Sequence, residues 1–146
     1  MRADWINDPY PVWNQIRNRL QDDNKELPVV GDFLGIFDGD TLAGAFQVKL
    51  WNAHCYEIHG GVSPEYFGQG VRICRVLGKA LFTYTPCLKI VVVIPEFNHL
   101  MRSCVQQTGT QQEGVIKKAF LKWYRLHDLY VYGICKSQAD LKKEYE

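Results

Sequence analysis

The sequence predicts an α+β fold in which a largely antiparallel, mixed sheet contains one central pair of parallel strands. Two apolar, β-rich segments, 33–37 and 42–50, are joined through Asp38-Gly39-Asp40, which is typical of a hairpin turn. The β-branched run 89–94 is typical of a strand buried on both faces. A strand, a glycine-bearing loop and an amphipathic helix precede this run. Such a β-α-β crossover normally joins two parallel neighbours.

The elements before this run follow from capping residues and hydrophobic periodicity. Asp8 and Pro9 fit an N-cap and a first helical position, and the apolar stripe that ends at Leu20 predicts an opening helix. A third strand through Tyr56 extends the antiparallel meander. After the glycine-bearing loop, apolar residues recur at helical spacing: Ile73, Val76, Leu77, Ala80 and Leu81.

The last third of the chain predicts a short helix and a hairpin. Asn98 opens the helix, and Gly109 is placed to close it as a C-cap. Segments 115–124 and 128–134 alternate as strands do, with a turn near Arg125 between them.

Length and composition fit one domain. The chain has 146 residues, 47% of them hydrophobic, which is enough for one well-packed core but not for two. We expect residues 1–137 to form this domain, and the charged segment 138–146 to be a solvated tail or a frayed helix.

The near-neutral charge of the chain bears on whether it binds nucleic acid or a membrane surface. The formal net charge is +1 and the basic residues are scattered, so we expect neither a nucleic-acid partner nor adsorption to a membrane. The sequence has no apolar run long enough to span a bilayer, and its start lacks the apolar core of a signal peptide. We therefore expect a cytoplasmic protein.

Five cysteines are present, an odd number at wide spacing: Cys55, Cys74, Cys87, Cys104 and Cys135. This pattern indicates neither a disulfide framework nor a zinc site, so we expect reduced and mostly buried thiols. His54, Cys55 and His59 are close in sequence. On a strand, however, His54 faces the side opposite to the other two, so we expect no metal site.

The segment 62–72, VSPEYFGQGVR, is the most informative one. Gly68 and Gly70 let backbone N–H groups converge, and the helix that follows adds its unpaired first-turn N–H groups and the positive end of its dipole. This geometry favours an anion such as a pyrophosphate. The alternative is a strand-to-helix turn that binds no ligand.

With Val-x-Pro-Glu-Tyr-x-Gly-x-Gly at its centre, the chain resembles the GCN5-related N-acetyltransferase (GNAT) superfamily. Pro95, Asn98 and Gly109 are similar to the family's segment after its fifth strand. Residues 126–133 are similar to its closing strand, especially in enzymes that modify ribosomal-protein N-termini, and small GNAT-like proteins also occur in bacteriophages. The resemblance spans nearly the whole chain. It implies a six- to seven-stranded sheet whose parallel strands splay apart around the pantetheine arm of acetyl-CoA.

The resemblance also implies where the cosubstrate binds. Gly61 and Val62 would hydrogen-bond the pantetheine, the N–H groups of residues 68–72 would hold the pyrophosphate, and Asn98 would lie near the far end of the arm. The implied binding residues are Gly61, Val62, Phe67, Gly68, Gln69, Gly70, Val71, Arg72 and Asn98.

Two of these positions depart from the family pattern. Phe67 stands where the family usually has Arg or Gln, which removes a polar contact. Arg72 stands where Gly or Ala is usual. Its side chain either obstructs the approach of a phosphate or pairs with a phosphate oxygen.

Catalytic candidates follow from the need for a neutral amine nucleophile. Glu57 is the best candidate for the base; alternatively, it faces solvent or pairs with a Lys or Arg of a neighbouring strand. His59 has the same strand parity and a suitable unperturbed titration range, although a structural histidine is commoner. Val105 occupies the position of the family's general-acid tyrosine. The adjacent Cys104 is a candidate, although a thiol on an apolar helix face more often serves packing.

Two functions are therefore weighed. The first is an acyl-CoA-dependent N-acetyltransferase, in which a primary amine of a small molecule or a protein attacks acetyl-CoA directly. The second is a catalytically inactive binding or assembly module with the same fold, such as a bacteriophage particle or host-interaction protein. A homodimer through Tyr130, Tyr132 and Ile134 is one possible assembly, and burial inside the monomer explains these residues equally well.

Overall fold

A computed structural model of the chain describes residues 1–8 and 32–141. The predicted opening helix after Asp8 lies outside the described residues. The described elements are, in order, β1 (Arg2–Ile6), β2 (Asp32–Asp38), β3 (Thr41–Leu50), β4 (Cys55–Val62), a 3₁₀ helix (Pro64–Gln69), α1 (Gly70–Tyr84), β5 (Lys89–Pro95), α2 (His99–Gln107), β6 (Gln111–Lys122), β7 (Arg125–Cys135) and a second 3₁₀ helix (Lys136–Gln138).

The described strands form one sheet in the order β1-β2-β3-β4-β5-β7-β6. Among these described strands only β4 and β5 are parallel, and every other neighbouring pair is antiparallel. The predicted mixed α+β sheet is confirmed, with seven strands. The sequence prediction missed β1, which pairs with β2 from Arg2↔Phe37 to Ile6↔Phe33. The strand is short and its residues are exposed or half-buried, so it has no continuous apolar run to predict it.

The two described α-helices, α1 and α2, lie on the same face of the sheet. Along a strand, alternate residues share a face, and Ile90 and Ile94 of β5 contact α1 and α2 respectively. The α1 stripe is formed by Ile73, Leu77 and Leu81, which pack in one buried cluster with strand residues that include Phe46, Ile58 and Ile90. Burying an aliphatic side chain of this kind contributes about 1.5–3 kcal/mol.

Tyr132 and Ile134 are buried in the core, on the face that the helices cover. Burial inside the monomer therefore accounts for two of the three residues that were weighed as dimer contacts. All five cysteines are free thiols, but only Cys87 is buried and the other four are half-buried. The expectation of mostly buried thiols is therefore wrong.

The turns differ in how well they follow from the sequence. The turn after Asp38 is as predicted, with Gly39 at φ +60°. The last hairpin is longer than predicted, and its turn is Trp123-Tyr124, because Arg125 pairs with Lys122 as the first residue of β7. Neither Trp nor Tyr is a residue that turn preferences would select.

The C-terminal segment is packed further than its charge suggests. The expected tail begins at residue 138, but Ala139 and Leu141 are half-buried against the core. The packed part of the chain therefore reaches Leu141.

Candidate functional site

The candidate site lies where the two parallel strands separate. β4 and β5 pair at four positions only, from Cys55↔Lys89 to Ile58↔Val92. Beyond them, β4 continues to Val62 and β5 continues to Pro95 without pairing with each other. Backbone N–H and C=O groups that face such a gap need a partner from elsewhere. The splay that the resemblance implies is present.

A cavity of about 880 Å³ occupies this gap. Its walls include Cys74 and Leu77 from α1 and Cys104 from α2, on the face that the helices cover. Glu57 and His59 also line it, and they alternate with the buried Ile58, so they belong to the opposite face. The cavity therefore reaches both faces of the sheet.

The predicted binding residues divide into two groups. Five of them line the cavity: Gly61, Val62, Phe67, Gly70 and Asn98. The other four, Gly68, Gln69, Val71 and Arg72, do not line it. All three catalytic candidates, Glu57, His59 and Cys104, line it.

The segment predicted as a glycine loop is helical. Pro64–Gln69 forms a 3₁₀ helix that runs directly into α1, and neither Gly68 nor Gly70 has a positive φ. A Cβ at Gly70 would lie 2.9 Å from Sγ of Cys104, so this glycine allows α2 to approach α1. A Cβ at Gly68 would have no heavy atom within 4 Å. Packing accounts for Gly70, whereas space for a ligand remains beside Gly68.

Phe67 and Arg72, the two departures from the family pattern, differ in their position relative to the cavity. Phe67 lines the cavity, and its side chain is 46% exposed. Arg72 instead donates from Nη1 to Oε1 of Gln69 at 3.0 Å, and its Nε is buried without a described partner. Arg72 therefore does not obstruct the cavity.

The sequence interpretation missed two cations of the site, Arg75 and Lys79, which line the cavity from α1. Residues four apart share a helix face, and this spacing was the available signal. Arg75 also donates from Nη2 to the backbone oxygen of Gln107 at 2.9 Å, which joins α1 to the end of α2.

Glu57 is held by Trp51, a contact that the sequence interpretation did not predict. Nε1 of Trp51 donates to Oε1 of Glu57 at 2.8 Å. From the sequence, Glu57 is expected to act as a base, to face solvent or to pair with a Lys or Arg, and none of these includes a tryptophan donor. Trp51 begins the β3–β4 turn, in which Oδ1 of Asn52 accepts the N–H groups of His54 and Cys55, both at 2.9 Å. The indole is therefore presented from an ordered turn.

The position that the resemblance assigns to a general acid is Val105, which has no ionisable group. Val105 is 4% exposed and packs with Ile94 and Tyr132. The hydroxyl of Tyr132 accepts a hydrogen bond from Nε of Arg102 at 2.9 Å. Among the described residues that line the cavity there is no tyrosine.

The cavity thiols favour the protonated form. Burial raises the pKa of Cys104, and burial, with a smaller contribution from Cys104, raises the pKa of Cys74 to about 12. A raised thiol pKa makes a poor nucleophile at neutral pH. The packing alternative for Cys104 is therefore favoured over catalysis.

Asn98 has a structural role in the described chain. Its Oδ1 accepts the backbone N–H of Met101 at 3.3 Å and caps α2. The residue also lines the cavity, so a contact with a ligand is compatible with this cap.

Residues 1–8 and 32–141 contain neither a candidate metal site nor a candidate membrane-spanning helix. No group of three or more His, Cys, Asp or Glu side chains in these ranges is arranged to hold a metal ion. No helix in them is both long and apolar enough to cross a membrane.

No protein-family model and no curated protein sequence is significantly similar to this chain. Solved structures do match it. A spermidine N-acetyltransferase from Vibrio cholerae, solved with CoA and spermine, has a TM-score of 0.76 at 17% identity over 93% of this chain and 95% of that protein. A GNAT-family acetyltransferase from Bacillus anthracis has a TM-score of 0.63 at 24% identity over 72% of this chain.

A ribosomal-protein-S5-alanine acetyltransferase from Vibrio fischeri has a TM-score of 0.62 at 16% identity over 75% of this chain. The chain spans 66% of the Bacillus anthracis protein and 63% of the Vibrio fischeri protein, just under two thirds of each. At identities this low, structural likeness establishes architecture rather than activity. The splayed parallel strands and these likenesses together establish that the chain has the fold of the GNAT acetyltransferases.

Proposed function

We propose that this chain is an acetyl-CoA-dependent N-acetyltransferase that acts on a primary amine. The observation that carries the proposal is the gap between β4 and β5, where pairing stops at Ile58 and Val92 and a cavity opens to both faces. A cosubstrate and an acceptor that enter from opposite faces would meet at this gap. Solved proteins of the same fold are acetyltransferases, and the Vibrio cholerae enzyme was solved with CoA.

The residues present suit CoA. Gly61 and Val62 line the gap with backbone that has no partner on β5, which suits the amide groups of a pantetheine arm. Arg75 and Lys79 supply positive charge for phosphate groups, and the space beside Gly68 allows close approach. Bound acetyl-CoA would supply an activated acetyl thioester.

Glu57 is proposed as the base. Trp51 engages Oε1, which leaves Oε2 available to the acceptor. The carboxylate would take a proton from the ammonium group, and the neutral nitrogen would attack the thioester carbonyl. The C–N bond forms and the C–S bond breaks. The nitrogen then gives up its second proton and the CoA thiolate takes up one proton, so that CoA leaves as a thiol. Holding both reactants in the gap would supply much of the rate acceleration.

The acceptor is proposed to be a small molecule or a protein with a primary amine. Proteins with the same fold include a spermidine N-acetyltransferase and a ribosomal-protein alanine acetyltransferase. The acceptor in the name of the first is a small molecule, and that of the second is a protein. We place the protein in the cytoplasm, where acetyl-CoA is available and where its five free thiols remain reduced.

Two measurements test the enzymatic function. Isothermal titration calorimetry with acetyl-CoA and with CoA is expected to show saturable binding in the micromolar range. A thiol-release assay against polyamines and N-terminal peptides is expected to show turnover that requires both acceptor and Glu57. Absence of saturable binding at high micromolar acetyl-CoA contradicts the proposal.

The second candidate is a catalytically inactive binding or assembly module, and Val105 favours it. This residue is buried where the family has its general acid, and no tyrosine among the described cavity residues replaces it. For such a module, a role in a bacteriophage particle or assembly as a homodimer is supported by the sequence resemblance alone. Native mass spectrometry distinguishes the candidates: a stoichiometric protein partner without bound CoA supports the module, and Glu57-dependent release of CoA contradicts it.

A further inference from the structure

The turn between β6 and β7 has an unusual backbone for its residues. Trp123 and Tyr124 connect the paired residues Lys122 and Arg125, and both have a positive φ, 52° and 58°. Two-residue hairpins of this kind strongly prefer Asn-Gly, because a bulky side chain disfavours the left-handed region. Backbone strain of this kind clusters at functional sites.

Packing does not account for both aromatic residues. Trp123 contacts Phe97, with ring centroids 4.8 Å apart, and His127, at 5.8 Å. Nevertheless the Trp123 side chain is 62% exposed, and Tyr124 is fully exposed. The flanking Leu121 and Leu126 are also exposed. We call residues 121–126 the hairpin tip; it combines a strained turn with exposed apolar side chains.

The surroundings of the hairpin tip are basic. Residues 116–128 contain one acid, Asp128, and four basic residues, Lys117, Lys118, Lys122 and Arg125, whereas the whole chain has a net charge of only +1. Asp128 already accepts the backbone N–H of Lys118 at 3.0 Å and lies 3.4 Å from Nζ of Lys117. Glu96 adds a second carboxylate, 3.2 Å from Nδ1 of His127. Four basic residues against two carboxylates leave the charge around the tip positive.

We propose that the hairpin tip docks a partner protein whose surface has an apolar pocket rimmed by carboxylates. Tyr and Trp are the residues that most often dominate protein interfaces, since they bury a large apolar area and retain a polar group. The apolar side chains would enter the pocket, and the basic residues would meet the carboxylate rim.

Two other classes of partner fit less well. Nζ of Lys122 lies 5.4 Å from the ring centroid of Trp123, so insertion of the tip into a bilayer would bring a charge with it. Only Tyr124 presents an exposed ring to a nucleic-acid base, because the indole already contacts Phe97 and Lys122. The exposed Leu121 and Leu126 would have no apolar partner in such a complex.

The hairpin tip adjoins the candidate catalytic site without forming part of it. Phe120, which precedes Leu121, lines the cavity between β4 and β5, but no residue of the tip does. Peptide binding at the tip and acetyl transfer have separate measurements, so either can fail without the other.

The experiment uses the full chain, immobilised, and a displayed library of random twelve-residue peptides. Selected peptides are expected to be enriched in Asp and Glu next to Leu, Ile or Phe. Their affinity is expected to fall at least tenfold for Tyr124→Gly and for Arg125→Glu. Tyr84→Gly is the matched control, because Tyr84 is also highly exposed but lies at the end of α1. This control is expected to keep full affinity.

A stability measurement separates docking from folding. Tyr124→Gly removes a fully exposed side chain and relieves a positive φ, so its unfolding temperature is expected to equal or exceed that of the wild type. A lower unfolding temperature would assign Tyr124 a structural role and overturn the proposal.

The remaining outcomes are also decisive. Selected peptides without an acidic and apolar bias, or with unchanged affinity for Tyr124→Gly, would overturn the proposal. So would Tyr124-dependent flotation with phosphatidylserine vesicles, Tyr124-dependent binding of single-stranded DNA, or Tyr124-dependent self-association in analytical ultracentrifugation.

Discussion

Trp51 and Glu57 are joined by a hydrogen bond of 2.8 Å between Nε1 and Oε1, at the point where the sheet begins to split. The bond fixes one oxygen of a carboxylate that lines the cavity. Only one lone-pair-bearing oxygen is engaged, and a side chain restrained in this way presents the other in a defined direction. Trp51 is therefore a positioning residue for the proposed base.

Glu57→Gln is expected to lower kcat by about 10²- to 10⁴-fold, because an amide does not accept the acceptor's proton. The dissociation constant for CoA should stay within twofold of the wild-type value, since the substitution preserves shape. Steady-state kinetics and calorimetry give the two numbers. Wild-type kcat in this variant, with CoA binding intact, would remove Glu57 from the mechanism.

Trp51→Phe removes the indole donor and retains an aromatic ring. We expect kcat to fall about tenfold with KM for acetyl-CoA unchanged. Combined with Glu57→Gln it should cause no further loss of kcat, because residues that act as a unit are not additive. Trp5→Phe, at another half-exposed tryptophan, is the matched control. Multiplicative losses in the double variant would show that Trp51 acts independently of Glu57.

Alanine substitutions at Gly70 and Gly68 distinguish an effect on helix packing from an effect on ligand binding. Gly70→Ala places a Cβ 2.9 Å from Sγ of Cys104, so we expect unfolding to become easier by about 1–3 kcal/mol. Adding Cys104→Ala should restore part of this loss, because it removes the clashing sulfur. Urea denaturation measures both effects. No recovery in the double variant would show that the strain lies elsewhere.

Gly68→Ala is the matched substitution two residues earlier. A Cβ there meets no heavy atom within 4 Å, so stability should change by less than about 0.5 kcal/mol. If a phosphate approaches this backbone, CoA affinity should nevertheless fall by about tenfold or more. Unchanged affinity in calorimetry would place the pyrophosphate away from Gly68.

Much of the fold could be predicted because its signals are local. The run at β5, the stripe of α1 and the Asp-Gly-Asp turn each fix an element from neighbouring residues. The role of Gly70 could not be predicted, because the sulfur that it accommodates lies 34 residues away in sequence, on another helix. Likewise Trp51 reaches Glu57 only through the geometry of the β3–β4 turn, which no periodic pattern encodes.

The cavity thiols should react slowly while the chain is folded. With a pKa of about 12, only about one in 10⁴ Cys74 side chains is ionised at pH 8. Mass spectrometry after iodoacetamide treatment is expected to find Cys74 modified late, together with Cys87, which is fully buried and whose pKa burial raises to about 11. Cys104, whose pKa burial also raises, is expected to react more slowly than in the unfolded chain. The urea-unfolded chain is the control, in which all five cysteines should react alike. Rapid modification of Cys104 in the folded protein would restore it as a candidate nucleophile.

Asp128 should make stability depend on pH. Its Oδ1 accepts the backbone N–H of Lys118, a residue with φ +51°, and so holds the irregular segment of β6 in place. This bond, together with Lys117, lowers the pKa of Asp128 below its usual value. A folded pKa below the unfolded one means that the unfolded chain binds the proton more readily. The resulting stabilisation is present above the unfolded pKa and is lost as the pH falls through the folded value.

Asp128→Asn retains an oxygen that can accept the Lys118 N–H but removes the charge. The variant is therefore expected to be less stable than the wild type at pH 7, and the difference should shrink progressively below about pH 4, near the ordinary titration range of Asp. Urea midpoints measured between pH 7 and pH 2.5 provide the comparison. Asp40→Asn, in the exposed β2–β3 turn, controls for the loss of one negative charge. Protonation at low pH removes the carboxylate charge from the wild type alone. A stability difference between wild type and variant that stays constant down to pH 2.5 would therefore show that this charge does not stabilise the irregular segment of β6.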